Sequence, residues 1–176
     1  MAHINFEFKA KTNNLIDAEI KLKQLQPEYK GEDHQTDTYF NVPNGRLKLR
    51  EGNIENSLIY YERENKSGAK QSNVLLYRHQ TNAGLKEILT KVHDIKIVVK
   101  KKRKIYFVEN VKIHFDEVED LGHFIEVEAI DKDGSLGIEL LKEQCAKFAK
   151  LFDITDDDYI AQSYSDLLIT STPIHN

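Results

Sequence analysis

Apolar and polar residues alternate in short segments spread over most of the chain. In Asn5-Phe6-Glu7-Phe8-Lys9 and in Phe124-Ile125-Glu126-Val127-Glu128 the charged positions recur every second residue. Strand residues two apart share a face. Asn5, Glu7 and Lys9 therefore lie together on one strand face, and Glu126 and Glu128 on another. Arg46-Leu47-Lys48-Leu49-Arg50 repeats the pattern with bases. Such runs predict strands over 4–10, 37–40, 46–50, 58–63, 74–78, 95–108 and 111–118, with a last one beginning after Gly122. Val42-Pro43-Asn44-Gly45 is a hairpin turn between the second and third, and Glu64 to Gly68 is a polar loop. Helical spacing appears in Leu15, Ala18, Leu22 and Leu25, with Asn13 as cap and Pro27 as stop. It recurs in Leu85, Ile88, Leu89 and Val92, with Asn82 as cap, and in Ile138, Leu141, Cys145, Phe148 and Phe152. A tail helix carries Tyr164, Leu167 and Leu168. About eight strands, mostly joined by hairpins and interrupted by three or four helices, give an α+β pattern, not a doubly wound one.

Composition narrows the class. The chain has 176 residues, 40% hydrophobic and 31% charged, enough for one domain with a substantial core. Its 25 basic and 29 acidic side chains leave a net charge of −4, which argues against bulk nucleic-acid binding. The single cysteine, Cys145, excludes an internal disulfide and sits on an apolar helical stripe, where packing is its expected role. The charged N-terminal segment argues against a signal peptide, and no apolar run is long enough for a membrane span. A cytoplasmic protein with no membrane partner is expected.

Two sets of side chains carry candidate chemistry. Glu7, Asp116, Glu126 and Glu128 are acids on strands, and oxygen-only clusters suit Mg²⁺ or Mn²⁺. Lys9, Lys48, Arg50, Arg63, Lys70, Lys101 and Arg103 are bases, and Arg and Lys grip phosphate oxygens. One amphipathic strand is ordinarily a solvated sheet face. Acidic and basic faces on several strands suggest a sheet closed around a charged ligand, since buried charges need neutralising partners. The run Lys100 to Lys104 looks like a nucleic-acid patch, but alternation splits it. Either Lys101 and Arg103, or Lys100, Lys102 and Lys104, share a face, and periodicity leaves open which set points inward. His114 shares parity with Asp116 and could line the same interior, but a surface or structural role is the expectation for it; His123, at a strand start, is expected on the surface. Phosphate-loop, dinucleotide-binding and serine-hydrolase motifs are absent, and the histidines lack zinc spacing.

Taken in order, these segments resemble the CYTH family, the triphosphate tunnel metalloenzymes. Asn5-Phe6-Glu7-Phe8-Lys9 resembles the family's ExExK strand. Asp37-Thr38-Tyr39-Phe40 resembles its D-x-Y-F/Y strand, and Leu47-Lys48-Leu49-Arg50 its L-R-x-R strand. Lys101-Lys102-Arg103 with Ile105-Tyr106 resembles K-x-R…Y. Phe115 to Glu128 resembles the signature D-x-V-x-x-L-G-x-F-x-E-x-E, and Ser163 to Leu168 the S-Y-x-x-L-L tail. Lys101 to Val108 and the tail resemble the class IV adenylyl cyclase-like branch most.

The resemblance implies an eight-stranded antiparallel β-barrel forming a tunnel, over a single domain at 1–170 with a short tail at 171–176. It implies that Glu7, Asp116, Glu126 and Glu128 serve Mg²⁺ or Mn²⁺. Lys9, Lys48, Arg50, Lys101 and Arg103 would grip a nucleoside or inorganic triphosphate, with Arg63 and Lys70 beside them. Lys9, Arg50 and Arg103 would act on the reacting phosphate. The implied activity is conversion of ATP to cyclic AMP and pyrophosphate, with inorganic or thiamine triphosphatase as the alternative. A homodimer is compatible with it. Asn5 stands where many members carry Glu. One missing carboxylate leaves a third reading, a triphosphate-binding module with weak turnover. A nucleic-acid binder built on Lys100 to Lys104 ranks last.

Overall fold

The computed structural model describes residues 2–63, 67–80 and 83–171. Its elements in chain order are β1 (Ala2–Lys11), α1 (Leu15–Lys23), β2 (Glu28–Phe40), β3 (Arg46–Glu51), β4 (Ser57–Arg63) and β5 (Lys70–Arg78). There follow α2 (Ala83–His93), β6 (Ile95–Val108), β7 (Val111–Val118), β8 (Gly122–Asp131), α3 (Ile138–Leu151) and α4 (Tyr164–Ser171). The strands close into a barrel in the order β1-β5-β4-β3-β2-β6-β7-β8, with every neighbouring pair antiparallel. Closure leaves no sheet edge unpaired. It also gives each strand an inner and an outer face, which is what the alternating sequence requires.

The main apolar core lies outside the barrel wall. Phe8 and Ala10 of β1, Val111, Ile113 and Phe115 of β7, and Ile125, Val127 and Ala129 of β8 face outward. They pack against Ala18 and Leu22 of α1 and Leu141, Cys145 and Phe148 of α3. Each fully buried side chain of this kind contributes about 1.5–3 kcal/mol. Cys145 donates its thiol to the Phe6 carbonyl at 3.2 Å, and burial pushes its pKa up to about 12, so it packs and does not react.

A second cluster closes one end of the tunnel. Tyr39, Val99, Val118 and Phe124, from four different strands, meet Tyr164 at the start of α4, with Leu167 and Leu168 alongside. Arg46 ties α4 to β3 through Asp166 at 2.7 Å. The helix therefore sits as an apolar plug over the barrel end.

Several boundaries differ from the sequence reading. The cap of α1 is Asn14, whose side chain accepts from the Asp17 amide at 3.0 Å, and Asn13 precedes it. Leu25 lies past the end of α1 and is exposed. β2 begins nine residues before Asp37 and β5 four before Val74. The expected hairpin turn holds, and Gly45 has φ +64, where an added Cβ would meet the Tyr60 hydroxyl at 2.7 Å and its ring at 2.8 Å. Asn82, the side chain of Arg63, residues 64–66 of the polar loop and nearly all of the 171–176 tail lie outside the described residues.

Candidate functional site

The barrel encloses a cavity of about 980 Å³, lined by residues of all eight strands, the β3–β4 loop and the start of α4. Nine lysines and arginines line it against four glutamates, so the space favours an anion despite the acidic chain as a whole.

Alternation decides the question that the basic run left open. Lys101 and Arg103 point inward and are buried, while Lys100 and Lys102 are exposed outside. Lys104 pairs with Glu19 of α1 at 2.7 Å. The run Lys100 to Lys104 is therefore divided across the wall and forms no continuous basic strip.

One wall, from β2, β3 and β6, centres on Asp37. Arg50 grips this carboxylate with two nitrogens at 2.8 and 2.9 Å; Lys101 reaches it at 2.7 Å and Lys48 at 3.3 Å. Burial opposes ionisation of Asp37, yet Arg50, Lys101 and Lys48 together hold it well below the usual carboxylate range. Three cations on one carboxylate leave a surplus charge. Burial, with repulsion from Arg50, Arg103 and Lys48, brings Lys101 down to about 7 against the pull of Asp37. Arg50 also reaches Glu55 at 3.1 Å, yet the cations lining the cavity still outnumber its glutamates and have capacity for a further anion.

The facing wall, from β1, β6, β7 and β8, is acidic. Arg103 grips Asp116 at 2.6 and 2.5 Å and reaches Glu126 at 2.6 Å. Tyr164 donates its hydroxyl to Asp116 at 2.6 Å. Asp116 is thus held by a guanidinium and a phenol in this state. Glu126 also has Lys9 at 3.9 Å. Burial opposes its ionisation, but Lys9 and Arg103 hold it well below the usual range. Glu128 behaves oppositely: burial first, then the charges of Glu126 and Glu7, push it up to about 7. Glu7 and Glu128 are directly opposed across β1 and β8, which explains the crowding.

His114 completes this cluster. It is fully buried, and one ligand atom each from His114, Glu126 and Glu128 fit within 4.8 Å of one another. Among the described residues, neither ring nitrogen has a hydrogen bond of ordinary geometry. Burial, with Arg103 and Lys112 nearby, lowers its pKa to about 3, so the imidazole is neutral at ordinary pH. The Asn5 side-chain oxygen is buried on the same interior and, among the described residues, also lacks a partner. Buried polar atoms without partners are costly. Orphaned donors beside crowded carboxylates fit a divalent cation, as the resemblance implies.

Among the residues expected to grip phosphate, Lys48, Arg50, Lys101, Arg103 and Lys9 line the cavity. Lys70 is buried and donates to the Ala161 carbonyl at 2.7 Å. Lys9 reaches the Gln162 carbonyl at 3.5 Å and lies 3.9 Å from the Tyr164 ring centroid. Both lysines thus touch the segment that leads into the plug. Sequence reasoning missed Lys112 and Glu55. Lys112 lines the cavity and pairs with Glu55, which also accepts from Arg50 at 3.1 Å. Lys112 was findable, because it shares parity with His114 and Asp116. Glu55 lies in the β3–β4 loop, where no periodicity marks it. A third stretch of wall, Ile59, Tyr61, Val74 and Leu76 on β4 and β5, is apolar.

A closed antiparallel tunnel with a cation-rich interior and a crowded acidic cluster defines the class of protein. Residues 3–164 match the CYTH domain family model, and the chain belongs to that family. No curated protein matches it. Among solved structures it is similar to the PH1012 protein from Pyrococcus horikoshii OT3, at 25% identity and a TM-score of 0.77, with 93% of this chain and 98% of that one covered. It is also similar to a Vibrio parahaemolyticus protein provisionally assigned as an adenylate cyclase, at 19% identity and a TM-score of 0.79, covering 96% and 99%. A third is HpAC1 from Hippeastrum, provisionally assigned as an adenylyl cyclase and described as having a dominant triphosphatase activity. It is 16% identical with a TM-score of 0.63, covering 98% of both chains. Among the described residues, no helix is long and apolar enough to cross a membrane.

Proposed function

We propose that this protein is a metal-dependent enzyme that binds a nucleoside triphosphate inside the tunnel and breaks one of its phosphoanhydride bonds, in the manner of a class IV adenylyl cyclase. The observation that carries this reading is the pairing of surplus cations around Asp37 with a crowded, partly orphaned acidic cluster on the opposite wall. Lys48, Arg50, Lys101, Arg103 and Lys9 hold the phosphate oxygens. Arg50 and Arg103 are fixed in plane by bidentate aspartates, so their orientation is set before the ligand arrives. Glu7, Glu126 and Glu128 hold the divalent ion, Mg²⁺ or Mn²⁺, with Asp116 beside them. When bound, the ion neutralises charge that develops on the phosphate oxygens. The apolar stretch of Ile59, Tyr61, Val74 and Leu76 suits a base or another organic group attached to the triphosphate.

In the cyclase reaction the ribose 3′-hydroxyl attacks the α-phosphorus, the bond to the β-phosphate oxygen breaks, and pyrophosphate leaves with cyclic AMP as the other product. The second reading is a triphosphatase, in which water attacks the terminal phosphorus, its bond to the bridging oxygen breaks, and the diphosphate leaves with orthophosphate as the other product. The activity described for the Hippeastrum protein supports it. A cytoplasmic location suits either reaction. Incubation with ATP, GTP, thiamine triphosphate and tripolyphosphate, each with Mg²⁺ or Mn²⁺, tests the proposal by product identity. Cyclic AMP with pyrophosphate from ATP is the expected result, and orthophosphate with the matching diphosphate and no cyclic AMP selects the second reading. No product above that of a Glu126→Ala/Glu128→Ala control rejects both.

A further inference from the structure

The acidic cluster contains a nitrogen donor. His114 lies directly across β7 and β8 from Glu126, with Nδ1 3.5 Å from the Glu126 Oε2 and 3.9 Å from the Glu128 Oε1. The ring has no exposure to solvent, and among the described residues neither nitrogen has a hydrogen bond of ordinary geometry, the Glu126 carboxylate standing only in long contact. An imidazole buried for packing alone ordinarily satisfies at least one nitrogen through a carbonyl, a hydroxyl or a carboxylate. Here the nearest carboxylate oxygens stand at ion-pair distance, too far for a good hydrogen bond. The gap between the three groups is instead of the size that an ion bridging them would span, at roughly 2.0–2.2 Å per bond.

On the same interior, Asn5 offers a neutral carbonyl oxygen that is also buried and, among the described residues, without a partner. The donor atoms that lie together are therefore one imidazole nitrogen and two glutamates, with the Asn5 amide oxygen elsewhere on the same interior. Mg²⁺ favours oxygen donors in a strict octahedron and keeps much of its water, whereas imidazole favours first-row transition metals.

We propose that His114 is a direct ligand of the divalent ion, together with Glu126 and Glu128, and that this mixed nitrogen–oxygen site selects a first-row transition-metal dication such as Mn²⁺ over Mg²⁺. The inference deepens the metal half of the proposed function and rests on it. It gives the interior a selectivity that an all-carboxylate site would lack.

The test is Mn²⁺ binding to the full chain, read by calorimetry with Mg²⁺ competition and by pulsed electron spin-echo spectroscopy of the bound Mn²⁺. Wild type should show nitrogen modulation from a coordinated imidazole, and labelling histidine with ¹⁵N should change that modulation. His114→Gln should weaken Mn²⁺ by at least the roughly tenfold that losing even an outer-shell partner costs, with little effect on Mg²⁺. Absence of nitrogen modulation in wild type overturns the inference, whether or not the variant folds. An unchanged preference for Mn²⁺ over Mg²⁺ in a folded His114→Gln overturns it too, as does failure of wild type to bind Mn²⁺ with or without tripolyphosphate. The outcomes separate from those of the functional reading. Triphosphate cleavage supported equally by both metals, without nitrogen modulation, removes the inference and leaves the enzyme. Nitrogen-coordinated Mn²⁺ without cleavage of any triphosphate does the reverse.

Discussion

Asp37 and Glu128 are carboxylates on opposite walls of one tunnel, yet their surroundings drive them in opposite directions. Asp37 faces Arg50, Lys101 and Lys48 and is held well below the usual range, although burial alone would raise it. Glu128 faces Glu126 and Glu7, and burial with that repulsion lifts it to about 7. What separates them is the number of cations supplied by the neighbouring strands. A saturated carboxylate orients the groups around it, while a crowded one is unsatisfied until a cation arrives. The first wall presents preset cations to an anion, and the second has capacity for a metal.

Breaking the saturated pairs should give the largest effect. Asp37→Ala would leave Arg50, Lys101 and Lys48 without their shared anion, and Arg103→Ala would leave Asp116 and Glu126 without their guanidinium. Removing one partner of a buried pair destabilises by about 3–5 kcal/mol, measurable by urea unfolding. Glu128→Gln should leave stability unchanged or raise it, because it relieves repulsion. Similar losses in all three variants would erase the distinction between saturated and crowded carboxylates.

Next in size is the response to ligand. Tripolyphosphate with Mn²⁺ at about 100 times its dissociation constant should stabilise the fold by about 2.7 kcal/mol, seen as a rise in melting temperature. Glu126→Ala/Glu128→Ala should abolish the part of that rise that depends on metal. A melting curve unmoved by millimolar tripolyphosphate would count against a tunnel site.

A smaller effect concerns Lys101, which Asp37, Lys48, Arg50 and Arg103 all face, with the Tyr164 ring 6.0 Å away. Its folded pKa of about 7 lies below the ordinary 10.5, so only the unfolded chain keeps this proton between those values. Stability from this group is therefore fully present above the unfolded value and is lost as pH falls through about 7. A bound triphosphate favours the charged amine, so binding at pH 8 should take up a proton and weaken with rising pH. Calorimetry in two buffers of different ionisation enthalpy measures the uptake, and Lys101→Arg should remove it. The smallest expected change is from Asn5→Glu. It adds a negative oxygen donor to the crowded wall and should modestly strengthen Mg²⁺ binding. No change in Mg²⁺ titrations would place Asn5 outside the metal's reach.

The two walls were unequally legible in the sequence. Alternation at Asn5 to Lys9, Lys48 to Arg50 and Phe124 to Glu128 marked inner and outer faces, because each outer face packs on a helix or a neighbouring side chain. It failed over 28–36 and 70–73, the unread starts of β2 and β5. There the inward residues, such as Asp33, Gln35, Lys70 and Ser72, are polar, and many of their outward neighbours are exposed. A strand polar on both faces carries no period-two signal. Asp37 was legible only through family resemblance, since its importance lies in cations brought from β3 and β6 by the barrel's closure. Helix periodicity found the outer core, but α4's position over the tunnel end depends on inward residues from four strands meeting in space.

The central claim is that a triphosphate lies between the cation wall and a metal held on the acidic wall. Calorimetric titration of tripolyphosphate into wild type and Glu126→Ala/Glu128→Ala, with and without Mn²⁺, tests it most directly. Wild type should bind one tripolyphosphate, more tightly with Mn²⁺. The double variant should still bind through the cations, with the metal dependence gone. No binding to wild type, or binding that Mn²⁺ leaves unchanged, would contradict the account.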